Sequence, residues 1–569
     1  NYVTVAQRSV FINNGTNWQI ADPYWKCPIN LDSNMRIDDV NGDGMIDIID
    51  AGIGNTPYIN NGSNWEISQN WANQITIDSN ILLADVNGDG LVDIIDAFSA
   101  TQSSRSTYLN NGSGWLDNRT WVSPIQFYNG IRLVDVNGDG FTDIFDAYAV
   151  DQAQRSVYLN NQSSAYLLKN ITTEEGEKIS VYYRASTKLN NTGNLNQSNL
   201  SFNVWVVVNI TKDNGMTGSH NVISVSSYNY SGGKYDYEDR EFRGFNYVEE
   251  KIINKVIRHW FNQSDQLQGR EYRTDNLDNN SNQYNKIEQV WNFTDKGSYF
   301  IVDLLDVSDI SYDNVTTNVR IKNTSYTYDN FGNINRTHHK GDVNNANDDR
   351  YEYVEYLNNS DKWIVNKIKN YTLADSTNNR TRNTLYFYDS LGYGIAPAKG
   401  SVTAKQEFSN NGQHPTTNYS YNRFGNIINQ TDANGHRTDY FYGIRDTSNT
   451  FIDRIVNNKS HIADYNYDVG TGKIVWETDS NRVGRNYTYD VFGRITKETA
   501  VYDSITLPTI NYSYEYDGVA PEEIKISRRE TNSTTNTYDE YTFYDGLGNI
   551  IQTKKEAENS QQIVSNTFY

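Results

Sequence analysis

Three stretches of the chain carry the residues to hold a metal ion: DVNGDGMIDIIDA from Asp39, DVNGDGLVDIIDA from Asp85 and DVNGDGFTDIFDA from Asp135. In the first, positions 1, 3, 5 and 9 are Asp39, Asn41, Asp43 and Asp47, Gly44 makes the sharp turn, and the Met45 carbonyl is available at position 7. Hard oxygen donors at this spacing suit Ca2+, which accepts about six to eight oxygens at flexible angles, better than Mg2+, which demands tight octahedral geometry. The same roles fall to Asp85, Asn87, Asp89, Leu91 and Asp93, and then to Asp135, Asn137, Asp139, Phe141 and Asp143. The bland alternative is an Asn/Asp/Gly surface turn without an ion. Three phased copies argue against it, because carboxylates packed together repel and raise one another's pKa. Three Ca2+ ions, one per loop, would offset +6 of a formal net charge of -21. An aspartate also stands at position 12 of each stretch (Asp50, Asp96, Asp146), but AGIGNTPYINNG after the first loop breaks any helix. An EF-hand needs helices on both sides, so each loop is expected to join strands.

The elements that must position these loops repeat with them. VFINNGTNW, PYINNGSNW, TYLNNGSGW and VYLNNQSS recur at one phase to the acidic stretches, and the loops start 46 and 50 residues apart. That period matches a four-stranded propeller blade, and the Asn-Gly pairs fit tight hairpin turns. Only three such units are present, whereas closed propellers have about four to eight blades.

Composition points the same way. Aromatic residues make up 13% of the chain, with 44 Tyr and only 8 Pro, which favours strands joined by Asn- and Gly-bearing turns. Asp plus Glu outnumber Lys plus Arg by 70 to 49, which excludes a nucleic-acid surface and makes cations the better partners. A single cysteine, Cys27, cannot close an internal disulfide and reads as a small buried filler. The longest apolar run, VWVVV from Val204, is far below the roughly 20 residues of a membrane span. The opening NYVTVAQRSV has no initiator Met and no charged-then-apolar leader, so a secretory signal is expected to be absent or to lie outside this chain.

From about residue 321 a second repeat begins: YTYDNFGNI from Tyr326, YFYDSLGYG from Tyr386, YSYNRFGNI from Tyr419 and YTYDVFGRI from Tyr487, with weaker copies at YNYDVGTGKI, YEYDG and FYDGLGNII. Each reads as a hairpin in which alternate Tyr share one face, the Asp caps the turn and the Gly takes a conformation closed to other residues. One such unit cannot bury its own aromatic face, so neighbours must stack into a continuous sheet.

The acidic units resemble the FG-GAP or VCBS repeats of β-propellers, and the YxYDxxGxI copies resemble the YD repeats of Rhs proteins and teneurins. The order of acidic repeats, then REFRGF from Arg240 to Phe245, then YD repeats is similar to the B component of insecticidal toxin complexes. The resemblance implies an all-β chain, a partial or complete β-propeller followed by a Rhs/YD-repeat β-shell. Its parts are blades over 1–165, a connecting β region over 166–320 and the shell over 321–569. It also implies a passive container for a toxic segment supplied by a C-type partner, docking through the propeller on a pore-forming A-type component, secreted or displayed at a cell surface. Departures are the missing leading domain, the small number of blades and the end at SNTFY. Teneurin-like architecture offers a second reading, an extracellular adhesion protein with a protein or glycan ligand. One stretch divides the two kinds of argument: Val248, Ile252, Ile253, Val256, Ile257 and Trp260 fall at helical spacing, whereas the resemblance makes them strands.

Catalysis finds no support. The seven histidines are scattered, and the adjacent His338 and His339 would point to opposite faces of a strand; loop positions are expected for the set. No HExxH, GxSxG, P-loop or dinucleotide fingerprint is present, and carboxylate pairs are too abundant to single out a glycosidase site. The chain is expected to be no enzyme.

Overall fold

The computed structural model describes residues 11–13, 17–20, 27–29, 35–50, 56–71, 81–128, 130–147, 155–161, 167–192, 198–200, 202–313, 319–408, 412–532, 534–557 and 561–567. The Asn14-Gly15 turn of the first short repeat, Gln162 to Ser164 of the fourth, and the last two residues lie outside them. Among the described residues there is no α-helix, only strands and three-residue 3-10 turns. The chain divides into two compact units, Asn1–Lys169 with Tyr182–Val207, and Asn170–Val181 with Val208–Tyr569.

In the first unit the repeats become small antiparallel sheets in chain order. One runs Met35–Asp38, Asp47–Asp50, Thr56–Asn60, Trp65–Ile67; the next Ile81–Ala84, Asp93–Asp96, Ser106–Asn110, Trp115–Asn118; a third Ile131–Val134, Asp143–Asp146, Ser156–Tyr158. Each acidic loop spans the first hairpin, with Asp38 opposite Asp47, Ala84 opposite Asp93 and Val134 opposite Asp143. The loops therefore join strands. The central DIID strands bury isoleucines on both faces, and the apolar residues of successive repeats meet in two clusters. Val40 and Ile49 pack with Ile81, Val92 and Ile94, and Val86, Ile95, Ala97 and Leu109 pack with Phe127 and Ile131. Neighbouring repeats thus complete each other's core, as stacked units must.

The second unit is built on one 28-stranded antiparallel sheet, ordered as in the chain from Asn170–Thr172 to Gln562–Asn566. The stretch at helical spacing is a hairpin in this sheet: Glu241–Ile252 pairs with Lys255–Phe261, Ile252 facing Lys255. The apparent period arises because Ile252 and Val256 straddle a tight turn whose Asn254 has φ 60°. Strand pairing outside the window decides, and periodicity inside it cannot.

Most YD units are the expected tight hairpins, with two additions; the copy from Tyr386 differs, its strands being joined by the longer connection 389–401, whose Ala398, Lys399, Gly400 and Ser401 amides donate to Asp389. The turn is closed by its acidic residue: Asp329 Oδ1 accepts from the Phe331 and Asn333 amides, and Asp490 Oδ1 from those of Phe492 and Arg494, at 2.8 to 3.0 Å. The last Tyr before the turn then hydrogen-bonds to the preceding strands. Tyr328 donates to the Leu304 carbonyl, Tyr388 to Ile368, Tyr421 to Val402 and Tyr489 to Ile474, and Tyr514, which precedes the last Tyr of its own unit, donates to Ile495, all at 2.7 to 2.8 Å. A phenylalanine could fill the same space but could not donate. The strand register also slips by one residue beside Tyr328, Tyr388, Tyr421, Tyr467, Tyr489 and Tyr544. Such bulges bend a strand and increase its twist, so a sheet with one per repeat curls.

Both apolar core clusters of the described residues lie in the first unit. Side chains of the long sheet are mostly half-buried on either face, as in a wall one layer thick.

Candidate metal centres

The three acidic loops adopt one geometry. Gly42 and Gly44 have φ 77° and 85°, Gly88 and Gly90 76° and 86°, Gly138 and Gly140 71° and 87°, a backbone path that side chains oppose. The path turns amides inward onto the first aspartate. Asp39 Oδ1 accepts from Gly42 (2.8 Å) and Asp43 (3.2 Å), and Oδ2 from Gly44 (2.7 Å). Asp85 and Asp135 repeat this with Gly88, Asp89 and Gly90, and with Gly138, Asp139 and Gly140. The fifth-position carboxylate accepts the seventh-position amide, Met45 to Asp43, Leu91 to Asp89 and Phe141 to Asp139, at 2.8 to 3.0 Å.

Positions 1 and 3 converge. The single N–H of Asp43 reaches both Asp39 Oδ1 and Asn41 Oδ1, the latter at 3.0 Å, so these two oxygens lie close together, and the Asn41 amide in turn donates to Asp43 Oδ2 at 2.8 Å. Asn87 and Asn137 do the same in their loops. Oxygens from positions 1, 3 and 5 are therefore gathered at each turn with lone pairs left over, a donor set that fits a hard cation.

The ninth position is different. Asp47 Oδ2 accepts from the Val40 amide (3.0 Å) and Oδ1 from Asn60 (2.8 Å), and the residue is fully buried. Asp93 binds Val86 and Asn110, and Asp143 binds Val136 and Asn160, in the same way. Each ninth aspartate thus clamps its loop to the third strand of its own sheet, or in the third repeat to Asn160 just beyond that strand, with both oxygens occupied. Burial pushes the Asp47 and Asp85 carboxyls up and takes Asp93 to about 7, where the amides of Asn110 and Val86 pull the other way and Asp89 and Asp85 add repulsion. Among the described residues no group of three or more His, Cys, Asp or Glu is placed to hold a metal together. A cation at these turns would rest on two carboxylates, an amide oxygen and main-chain carbonyls.

The loops are also tied to the next repeat by residues that motif reading missed. Asn110 donates through Nδ2 to the Val40 carbonyl and Asn160 to that of Val86, both at 2.8 Å. The signal was present in the recurring NNG and NNQ stretches, read only as turns: the first Asn is a cross-repeat tie at Asn110 and Asn160, whereas Asn60 donates to the Ile46 carbonyl of its own repeat. The third loop has further neighbours. Lys188 Nζ donates to the Asn137 carbonyl at 2.7 Å, the Thr187 hydroxyl donates to that of Gly138, and Phe141 packs on Trp205 with ring centroids 5.4 Å apart.

The histidines need a correction. His259, His338 and His339 are on strands, not loops, each beside a carboxylate: His259 with Glu271 (2.6 Å), His338 with Asp349 (2.8 Å), His339 with Glu352 (3.1 Å). An imidazole half-buried in a wall is stabilised by an acceptor on the neighbouring strand. The adjacent pair indeed binds two different partners.

The family described as the insecticide toxin TcdB middle/N-terminal region matches residues 115–255. Among solved structures, TcdB2-TccC3 superposes with a TM-score of 0.69 at 13% identity, covering 98% of this chain and 38% of that one. TcdB2-TccC3 without its hypervariable C-terminal region gives 0.68 at 12%, covering 99% and 40%. The Photorhabdus luminescens Tc holotoxin pore gives 0.70 at 12%, covering 99% and 40%. At this identity the likeness is one of fold, and the chain spans about two fifths of the solved chains it matches. No curated protein matches the chain.

Proposed function

We propose that this chain is a non-catalytic structural component of a toxin complex, whose tyrosine-repeat wall encloses a toxic effector. The observation that carries the reading is the single 28-stranded sheet, one layer thick, in the fold seen in TcdB2-TccC3. A wall that exposes both faces and keeps its charged and aromatic groups engaged in its own ladder is suited to enclosure and supplies no reacting group. Residues 1–165 serve on this reading as propeller blades for docking and gating, 166–320 as the connecting region and 321–569 as the shell. Its partners are a C-type chain that completes the shell and a pore-forming A-type component, and it acts secreted or at a cell surface. No helix of the described residues is long and apolar enough to cross a membrane. Coexpression with a C-type partner carrying an effector tests the reading: a hollow particle by electron microscopy, with the effector protected from protease, is expected. A solid particle or an unprotected effector overturns it.

The acidic turns are proposed to take Ca2+, one ion each, on Asp39, Asn41 and Asp43, on Asp85, Asn87 and Asp89, and on Asp135, Asn137 and Asp139. The carbonyls of Met45, Leu91 and Phe141 are further donors, and Asp47, Asp93 and Asp143 support the turn from behind. What favours this is the convergence of positions 1 and 3 on one N–H in all three loops. Chelation is expected to lower the melting temperature of the first unit and leave the long sheet unmoved. Calorimetric titration with Ca2+ that releases no heat would dismiss the ions.

A further inference from the structure

One YD turn departs from its sisters. At the position after the turn-closing Asp or Asn the repeats carry Asn330, Arg423 and Val491, all exposed, Val491 at 94%. In the turn that follows the strand Thr537–Tyr544 this position is Gly546, and it is buried. The reason lies more than 300 residues away, at the beginning of the same sheet. The Gly546 amide donates to the Asn214 carbonyl at 2.8 Å, and Asn214 Nδ2 reaches Asp545 Oδ2 at 3.2 Å. A Cβ on Gly546 would stand 2.5 Å from the Glu177 nitrogen and 2.7 Å from the Asn214 oxygen. Beside it, a Cβ on Gly176 would meet the Ala520 nitrogen at 2.8 Å and the Gly518 oxygen at 3.1 Å. A third contact joins Arg494 Nη1 to Glu174 Oε1 at 2.7 Å.

Three buried groups hold these edges rigid. Asn214 accepts from the Val222 amide at 3.0 Å and donates to the His220 carbonyl at 2.9 Å; Asp545 accepts from Leu547 and Asn549; Glu522 accepts from Gly518 at 2.9 Å. Asn214, Asp545 and Glu522 are each 1% exposed. Asp545 is a turn-closing residue like Asp329, recruited for a second partner.

We propose that these contacts form a latch: a seam, made by the turns at 173–177 and 214–222 against those at 490–494, 516–521 and 545–549, that holds the curled sheet shut. The seam is the point at which the wall opens. Along the sheet adjacent strands are joined by main-chain ladders, from two paired residues between Ile495–Ala500 and Ile510–Glu515 to eight between Glu522–Arg529 and Thr537–Tyr544, whereas among the described residues the seam has no ladder and is joined by a few bonds and the close approach of glycine backbones. What the seam encloses rests on the container reading; the seam itself does not.

Hydrogen exchange on the chain alone, with no cargo, separates the two. In the unaltered protein the Gly546 amide is expected to exchange at least about tenfold more slowly than the equivalent amides of Asn330, Arg423 and Val491, because only it is bonded to a distant element. Gly546→Val introduces the residue that the sister turn tolerates at Val491, and φ at Gly546 is not in the left-handed region. It is expected to raise exchange in 173–177 and 214–222 to the level of free turns, and to increase the radius of gyration, with the strands 223–236 and 537–544 still protected. Fast exchange at Gly546 in the unaltered chain overturns the latch, and so does a Gly546→Val protein with unchanged exchange in 173–177. Should the variant fail to fold, the first measurement decides. Cargo protection plays no part in either readout, so failure of the container reading leaves this result standing.

Discussion

In the first unit the recurring anchor is a fully buried carboxylate that gathers two main-chain amides and is followed in each repeat by an isoleucine, Ile48, Ile94 or Ile144. In the long sheet it is a tyrosine hydroxyl on a carbonyl of a preceding strand, with the ring half in water. The difference follows from what each repeat can pack against. The repeats of the first unit share buried apolar clusters with their neighbours, so a polar group between them must be satisfied completely or cost several kcal/mol. Repeats of the wall meet only edge to edge, so no dry interior forms, and stability is spread over ladders, side-chain ties and stacked rings such as Phe451 on Tyr467 at 4.8 Å.

The comparison breaks most readily in the first unit's core. Phe127→Ala, at a side chain with no exposed surface, is expected to cost about 3–5 kcal/mol, read as a lowered midpoint of that unit in denaturant; the half-buried Ile495→Ala in the wall should cost less than half as much. A Phe127→Ala protein of undiminished stability would mean that the clusters are not what holds the repeats. Next in size is Asp93→Ala, which leaves the Val86 and Asn110 amides buried without an acceptor and is expected to cost about 2–4 kcal/mol, whereas the surface substitution Asp117→Ala should stay within about 0.5 kcal/mol.

In the wall, Tyr489→Phe removes the donor to the Ile474 carbonyl and keeps the ring. Its expected cost is about 1 kcal/mol, measured on the second unit's transition. A neutral result at Tyr489 and again at Tyr421 would make the hydroxyls bystanders and the ladder sufficient. The smallest effect is in alkali. Burial takes Tyr388 to about 12 and burial with the Glu498 bond takes Tyr512 to about 12, above the ordinary 10. The unfolded chain therefore loses these protons first, so stability is intact below pH 10 and falls between pH 10 and 12. Melting of the second unit across that range should show the fall, and Tyr512→Phe should shrink it.

Much of this was legible from the residues. Alternating Tyr, the Asp and Gly of each turn, the joining of strands by acidic loops and the all-β class all follow from local rules, because turn chemistry and side-chain alternation are properties of a few adjacent residues. Of the acidic loops, the sequence pattern grouped positions 1, 3, 5 and 9 together. The structure separates them, gathering oxygens of the first three and giving both oxygens of Asp47, Asp93 and Asp143 to main-chain amides. Spacing could not reveal this, since Asn60, Asn110 and Asn160 lie 13 or 17 residues beyond those aspartates.

Neighbouring residues specify the repeated unit: its hairpins, its tight turns and the side chains it must share with a neighbour. The assembly of the units settles the rest. The helical spacing around Val248 became a hairpin, Asn110 became a tie to the repeat before it, and Gly546 became the place where a curled sheet meets its own beginning. Local rules act over a few bonds of chain, whereas each of these outcomes depends on bulges and pairings summed over many strands, and no single repeat contains that sum.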